Sequence, residues 1–344
     1  MENIKYFGTT PSGEDVYCIC LQNEKASCEV ISYGASLKNL LIPDRNGNPI
    51  DVVLGYDTLE QYLADKVYMG ATVGRVANRI AIGSFTLNGE TYTLPINNGK
   101  NHHHGGPCGF THKVWKIESV TQTSVTLSHV SPDGDQGYPG TMKATAEYTL
   151  RDNSLIVRHT AVSDKDTLCS FTNHSYFNLA GHNTGNAMGQ NIQIHSQEYT
   201  PSNAEGLPLG FAASVEGTPL DLRTMIPIET NMDDPMILEA KGYDHNYVVK
   251  GNIGTLRPAA VANCPKTGIQ MQVDTTMPGM HFYTSIYVRE GLPGKNGATY
   301  GPQHAFCLET QYYPDAIHHE NFPAPILKAG DTYDHATVFT FSQF

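Results

Sequence analysis

The amino-acid sequence predicts an all-β protein, a large antiparallel sandwich or barrel, and three observations lead there. Short alternating or β-branched runs recur along the 344 residues, Gly, Pro and Asn punctuate them throughout, and helix-period stretches are few. The strand-helix alternation of a parallel sheet is missing from the pattern. No repeat at a fixed period suggests a propeller.

Taken in order, residues 40–42 and 52–54 read as strands either side of Asn46-Gly47, a pair that supplies the positive φ angles of a tight turn. Residues 57–66 are the best helix candidate, with Leu59, Tyr62 and Leu63 on one face, short and peripheral. Asn88-Gly89 joins residues 85–87 to 91–94 as a hairpin. Further strands are expected at 125–130, 142–150, 155–162, 269–273, 282–288 and 338–341. Gly and Pro are distributed rather than clustered, and no low-complexity linker divides the chain, so one domain over 1–344 is expected.

Composition narrows the function classes. With 22 Lys plus Arg against 34 Asp plus Glu, the formal charge is -12, which disfavours nucleic acid or an anionic membrane surface as partner and suits a neutral small molecule. The seven cysteines, 18, 20, 28, 108, 169, 264 and 307, are widely spread with no C-x-x-C pair, and read as reduced thiols. Residues 1–10 lack the basic and apolar regions of a secretory signal, and no long apolar run follows, so a soluble, cytoplasmic protein is expected.

Five segments put polar groups where a strand scaffold favours simple alternation. The run N-H-S-Y-F-N-L (173–179) sets His174 among hydrogen-bonding and aromatic residues in a strand-like region, a composition suited to gripping a polyhydroxylated ligand beside a titratable imidazole. V-G-R-V-A-N-R-I (73–80) carries Arg75, Asn78 and Arg79; arginine can fork two hydrogen bonds to neighbouring hydroxyls or simply pair with a surface acid. N-H-H-H-G-G (101–106) can be read as a metal cluster, a loop of exposed imidazoles, or one functional histidine. Successive strand side chains point to opposite faces, so three histidines in a row rarely ligate one ion, and no metal is expected. In G-Y-D-H-N-Y (242–247), Asp244 is either a turn former or functional. In F-C-L-E-T-Q (306–311), Glu309 interrupts an apolar run, and a buried carboxylate there is either salt-bridged or a tuned base.

Together these segments resemble the aldose 1-epimerase, or galactose mutarotase, family over nearly the whole chain. The resemblance runs from Tyr33-Gly34-Ala35 through G-R-V-A-N-R-I (74–80), H-G-G (104–106), N-H-S-Y-F-N-L-A-G (173–181), G-Y-D-H-N (242–246) and T-T-x-P-G (275–279) to L-E-T-Q-Y-Y-P-D-A (308–316). It implies one large β-sandwich, the galactose mutarotase-like supersandwich, with an open sugar cleft and no cofactor. It implies Glu309 as the base that takes the anomeric proton and His174 as the acid that protonates the ring oxygen. Asn78, Arg79, His104 and Asp244 match the substrate-binding positions, and the implied partner is a free aldose such as galactose or glucose. Arg75 matches no such role. Met277 stands where the family commonly has a Gln that contacts the sugar, Thr284-Ser285-Ile286 replaces a T-G-N pattern, and His318 stands where Asn is common. A hexose-6-phosphate 1-epimerase and a non-catalytic carbohydrate-binding protein are the competing readings.

Overall fold

In the computed structural model, which describes residues 3–344, the alternating runs gather into two five-stranded sheets and one of nine strands, with two-stranded ribbons between them. Met142–Arg151 shows how pattern becomes layer: its residues alternate between buried and more exposed along the strand, so one face packs inward and the other meets solvent. It lies between Ser124–Ser131 and Ser154–Ser163, and the long closing strand Thr332–Gln343 joins that group to Ile269–Thr275. All of these pairings are antiparallel.

One apolar core joins the three sheets. Ile19 and Leu37 from the N-terminal five-stranded sheet, Tyr148 and Met271 from the nine-stranded sheet, and Tyr247, Phe282 and Leu308 from the second five-stranded sheet belong to the same buried cluster. The Tyr148 hydroxyl, buried in that core, donates to the Ala35 carbonyl at 2.6 Å and so meets its need for a partner across the layers.

The hairpins form where the turn residues place them, with adjusted ends. Ser84–Leu87 pairs with Glu90–Thr93 around Asn88-Gly89. At Asn46-Gly47, however, the strand entering pairing is Pro49–Asp51, not 52–54. The Asp44 carbonyl and carboxylate close the turn onto Gly47 and Asn48, so pairing resumes at once. The helix is a single capped turn, Leu59–Leu63, stopped short of the expected 57–66; Thr58 and Gln61 form a capping box, and Leu59 and Tyr62 are buried.

Two expectations change more. Residues 282–288 do not form one strand: Gly279–Tyr283 ends where Ser285 turns to a φ of 51°, a left-handed conformation no strand continues through. Of the histidine-bearing run only Asn173 is strand, as the end of Thr172–Asn173. From His174 to Leu179 the chain is irregular, tied down by isolated bridges from Phe177 to Val53 and to Phe306.

Candidate active site

The second five-stranded sheet builds the floor of a cleft, and its register decides which side chains enter. In Asp244–Val248, Gly279–Tyr283 and Cys307–Gln311, the residues Asn246, His281 and Glu309 lie abreast. Side chains alternate, so Tyr247, Phe282 and Leu308 go to the core while Asp244, His281, Tyr283 and Glu309 face the cleft. The cleft measures about 780 Å³, within the ~300–1,000 Å³ of small-molecule sites.

Glu309 is 2 % exposed and His174 4 %. His174 Nε2 lies 3.5 Å from Glu309 Oε1. The imidazole is stacked on the Tyr176 ring, centroids 5.0 Å apart at 21°, with Tyr68 parallel at 5.9 Å. Tyr176 is itself held by its hydroxyl on the Val67 carbonyl. Asn173 and Ser175 do not touch the imidazole. Asn173 donates to the Gly70 carbonyl and the Tyr148 hydroxyl, and Ser175 donates to Asn173, so they fix the backbone that carries His174.

The wall opposite comes from the segments around 78 and 104, which lock each other. The Asn78 amide N–H donates to His104 Nδ1 at 3.2 Å, and the His104 amide donates back to the Asn78 carbonyl at 3.0 Å. Asn78 Oδ1 accepts from the backbone and the guanidinium of Arg79, which also donates to Asn98. Gly105 is required here, with φ 78°, because a Cβ would fall 1.8 Å from the Gly74 carbonyl oxygen. Strict alternation fails in the histidine run because His104 adopts a φ of 49°. His102 turns away to the Pro95 carbonyl and the Tyr138 hydroxyl, while His103 and His104 both reach the cleft.

Burial disfavours charge on the central pair. It pushes Glu309 well above the usual carboxylate range, with the negative Asp244 adding and the positive Arg79 opposing, and it pushes His174 down to about 3. Asp244 goes the other way. Burial works to raise it, but the 2.6 Å hydrogen bond from His281 and the positive charges of His281, Arg79 and His245 outweigh this and hold it at about 2.

His104, His174 and Glu309 each bring a ligating atom within 4.8 Å of the others, but their donor chemistry does not suit a metal. His104 Nδ1 accepts a backbone N–H, which leaves the ring proton of the neutral imidazole on Nε2. A cation would have to break that bond or strip that proton, a poor fit for a resident ion. The same tautomer makes His104 an N–H donor suited to a hydroxyl.

The structure brings together all six residues singled out from the sequence: Asn78, Arg79, His104, His174, Asp244 and Glu309 line one cleft. Arg75 does not join them. Its buried guanidinium donates to Ser131 and to the carbonyls of Ser131, Pro132, Pro139 and Gly140, a structural role. Met277 does not face the cleft either, which corrects its reading as a lost sugar contact. It is 2 % exposed in the core, its sulfur accepting from the Tyr333 hydroxyl. His318 is hydrogen-bonded to Asp315 outside the cleft lining. Sequence reasoning missed His281, Tyr68 and His103. No sequence signal marked His281, because its place beside Glu309 follows only from the strand register.

A family model described as aldose 1-epimerase matches residues 17–340. The chain is 42 % identical over 337 residues to the galactose mutarotase of Bos taurus, covering 98 % of this chain and 97 % of the bovine one. With the galactose mutarotase of Homo sapiens the identity is 41 % at the same coverage, and with the aldose 1-epimerase of Escherichia coli it is 33 % over 96 % of each chain. Among solved structures, an aldose epimerase homologue from C. elegans superposes with a TM-score of 0.88 at 31 % identity, covering 95 % of this chain and 98 % of that one. Galactose 1-epimerase from Lactobacillus acidophilus gives 0.86 at 29 % identity over 99 % and 98 %. The antiparallel supersandwich and its histidine- and carboxylate-lined cleft therefore define an isomerase scaffold, and the chain belongs to the aldose 1-epimerase family.

Proposed function

We propose that the chain interconverts the α and β anomers of free hexoses such as galactose and glucose, with Glu309 as base and His174 as acid. The observation that carries this is the 3.5 Å approach of His174 Nε2 to Glu309 Oε1 inside a polar cleft. The anomeric hydroxyl and the ring oxygen share one carbon, so two groups close to each other can serve both. The reactive form is the tautomer in which the single proton of the pair sits on His174: ionised Glu309 then takes the hydroxyl proton as protonated His174 gives its own to the ring oxygen. The C1–O5 bond breaks and the free aldehyde forms. Rotation about C1–C2 and reclosure on the other carbonyl face give the opposite anomer, with the two residues exchanging roles.

Desolvation helps the opening step. The transfer converts a buried ion pair into a neutral acid and a neutral imidazole, the states that burial favours at these positions. Asn78, Arg79, His104 and Asp244 hold the sugar hydroxyls, His104 and Arg79 as donors and Asp244 as acceptor. We infer that the chain works in the cytoplasm as one domain, in keeping with its free cysteines. No described helix is long and apolar enough to cross a membrane. The hexose-6-phosphate reading loses Arg75, which is spent on carbonyls. Turnover of glucose against glucose 6-phosphate tests the choice, and a strong preference for the phosphate would overturn it. A non-catalytic binder would bind galactose without speeding anomer exchange in NMR.

A further inference from the structure

Behind Glu309 the sheet holds a set of polar atoms that the mechanism above leaves unused. Glu309 Oε2, both amide atoms of Gln311, Asn246 Oδ1 and His281 Nδ1 are all buried without a hydrogen-bond partner in the protein. They belong to three adjacent strands and to one face. Asn246, His281 and Glu309 form one cross-strand row, and Gln311 lies opposite Gly279 in the next. Gly279 leaves space between them, since a Cβ there would come within 2.8 Å of Asn246 Oδ1.

An unpartnered buried polar atom costs ~1–3 kcal/mol, so five together on one face require a reason. The donor inventory supplies it. His281 directs its Nε2 proton at Asp244 and leaves Nδ1 without a partner. Asn246 Oδ1 and Gln311 Oε1 are acceptors. The Gln311 amide is a donor on the same strand and the same face as Glu309, 0 % exposed and two residues away. Glu309 Oε1 lies 3.5 Å from His174 Nε2, while Oε2 has no donor.

We propose that Gln311 is a positioning residue for the base: its Nε2–H donates to Oε2 of ionised Glu309, directly or through one buried water, and so supports the carboxylate that takes the anomeric proton. The inference rests on the role of Glu309 proposed above. The other groups around Glu309 do not substitute for this donor. Arg79 is engaged with Asn78 and Asn98, His281 with Asp244, and His104 directs its proton to the cleft. His174 faces Oε1, Asp244 opposes ionisation, and Tyr176, Tyr283 and Cys307 stay neutral because burial raises all three.

The test is the pH profile of kcat/KM for galactose mutarotation in Gln311→Met, which keeps the volume and removes the donor. The acidic limb is expected to move up by about one pH unit and kcat at pH 7 to fall about 10- to 100-fold, with KM changed less than about 2-fold. An unmoved limb with parent-like kcat overturns the proposal, as does a loss confined to the yield of folded protein. Should this variant fail to fold, a crystal structure of the parent protein with galactose decides. Gln311 Nε2 within hydrogen-bond distance of Glu309 Oε2, or bridged to it by one water, supports the proposal, and an amide turned away overturns it. Glu309→Gln, run alongside, separates the two readings. If it stays active, the assignment of the base is wrong, whereas an inactive Glu309→Gln beside an unmoved Gln311→Met limb removes only the role of Gln311.

Discussion

Acidification should destabilise this protein above the pH at which most of its carboxylates protonate, because buried imidazoles are held neutral, and four of them suffice to set the size of the effect. His102 is caught between the Pro95 carbonyl and the Tyr138 hydroxyl, and His159 lies against Thr72 and the edge of Phe171. His174 sits in the cleft and His245 in the sheet. Burial lowers His102 and His245 to about 4, and His159 and His174 to about 3. The unfolded chain titrates these rings near ~6.5. With folded values depressed, the unfolded state binds more protons below ~6.5, so stability is full above that pH and declines as pH falls, until the folded values are reached. Between pH 7.5 and pH 5 each ring forfeits about 2 kcal/mol, and the four together about 8 kcal/mol, against a typical total of ~5–15 kcal/mol. Urea titrations followed by circular dichroism at pH 7.5, 6 and 5 measure this directly. His159→Gln should shrink the acid-induced loss by about 2 kcal/mol, since one neutral ring is removed from the linkage. An unfolding free energy at pH 5 within about 1 kcal/mol of that at pH 7.5 would refute the reasoning, because a drop of several times that size is required.

Three further outcomes follow from single contacts. Asp244→Asn removes a charged acceptor from the cleft; galactose KM should rise about 10- to 100-fold, the effect of a charge-assisted hydrogen bond, with a smaller change in kcat, measured by initial-rate polarimetry. Tyr176→Leu unstacks the His174 ring and frees the Val67 carbonyl, so kcat should fall about 10-fold or more while calorimetric galactose affinity changes little. Lys295→Met leaves Asp51 without the ammonium that also bonds the Lys38 and Val53 carbonyls; a loss of ~3–5 kcal/mol, read by urea denaturation, is expected for breaking so buried a pair.

How far the sequence carried the reading can be seen residue by residue. The Asn88-Gly89 hairpin was legible because the turn needs positive φ at both residues, and the long strands were legible because one face is buried. The catalytic candidates were legible as motifs although His174 and Glu309 lie 135 positions apart along the chain, a separation the fold closes to 3.5 Å. Facing was not legible. Met277 sits just before Pro278 at a strand entry, where alternation gives no direction, and the fold turns it into the core. His281 escaped notice because its role appears only once three strands are in register. Residues 284–288 looked like strand because β-branched and aromatic residues continue, while the backbone reversal at Ser285 is set by tertiary bonds, its hydroxyl accepting from the Ala305 amide.

Polarimetry of freshly dissolved α-galactose with the parent protein, Glu309→Gln and His174→Asn tests the proposed chemistry most directly. Each substitution should slow relaxation of the optical rotation about 10²- to 10⁴-fold, the usual contribution of a positioned acid or base, with the fold intact by circular dichroism. Rotation that relaxes in both variants as fast as in the parent would contradict it.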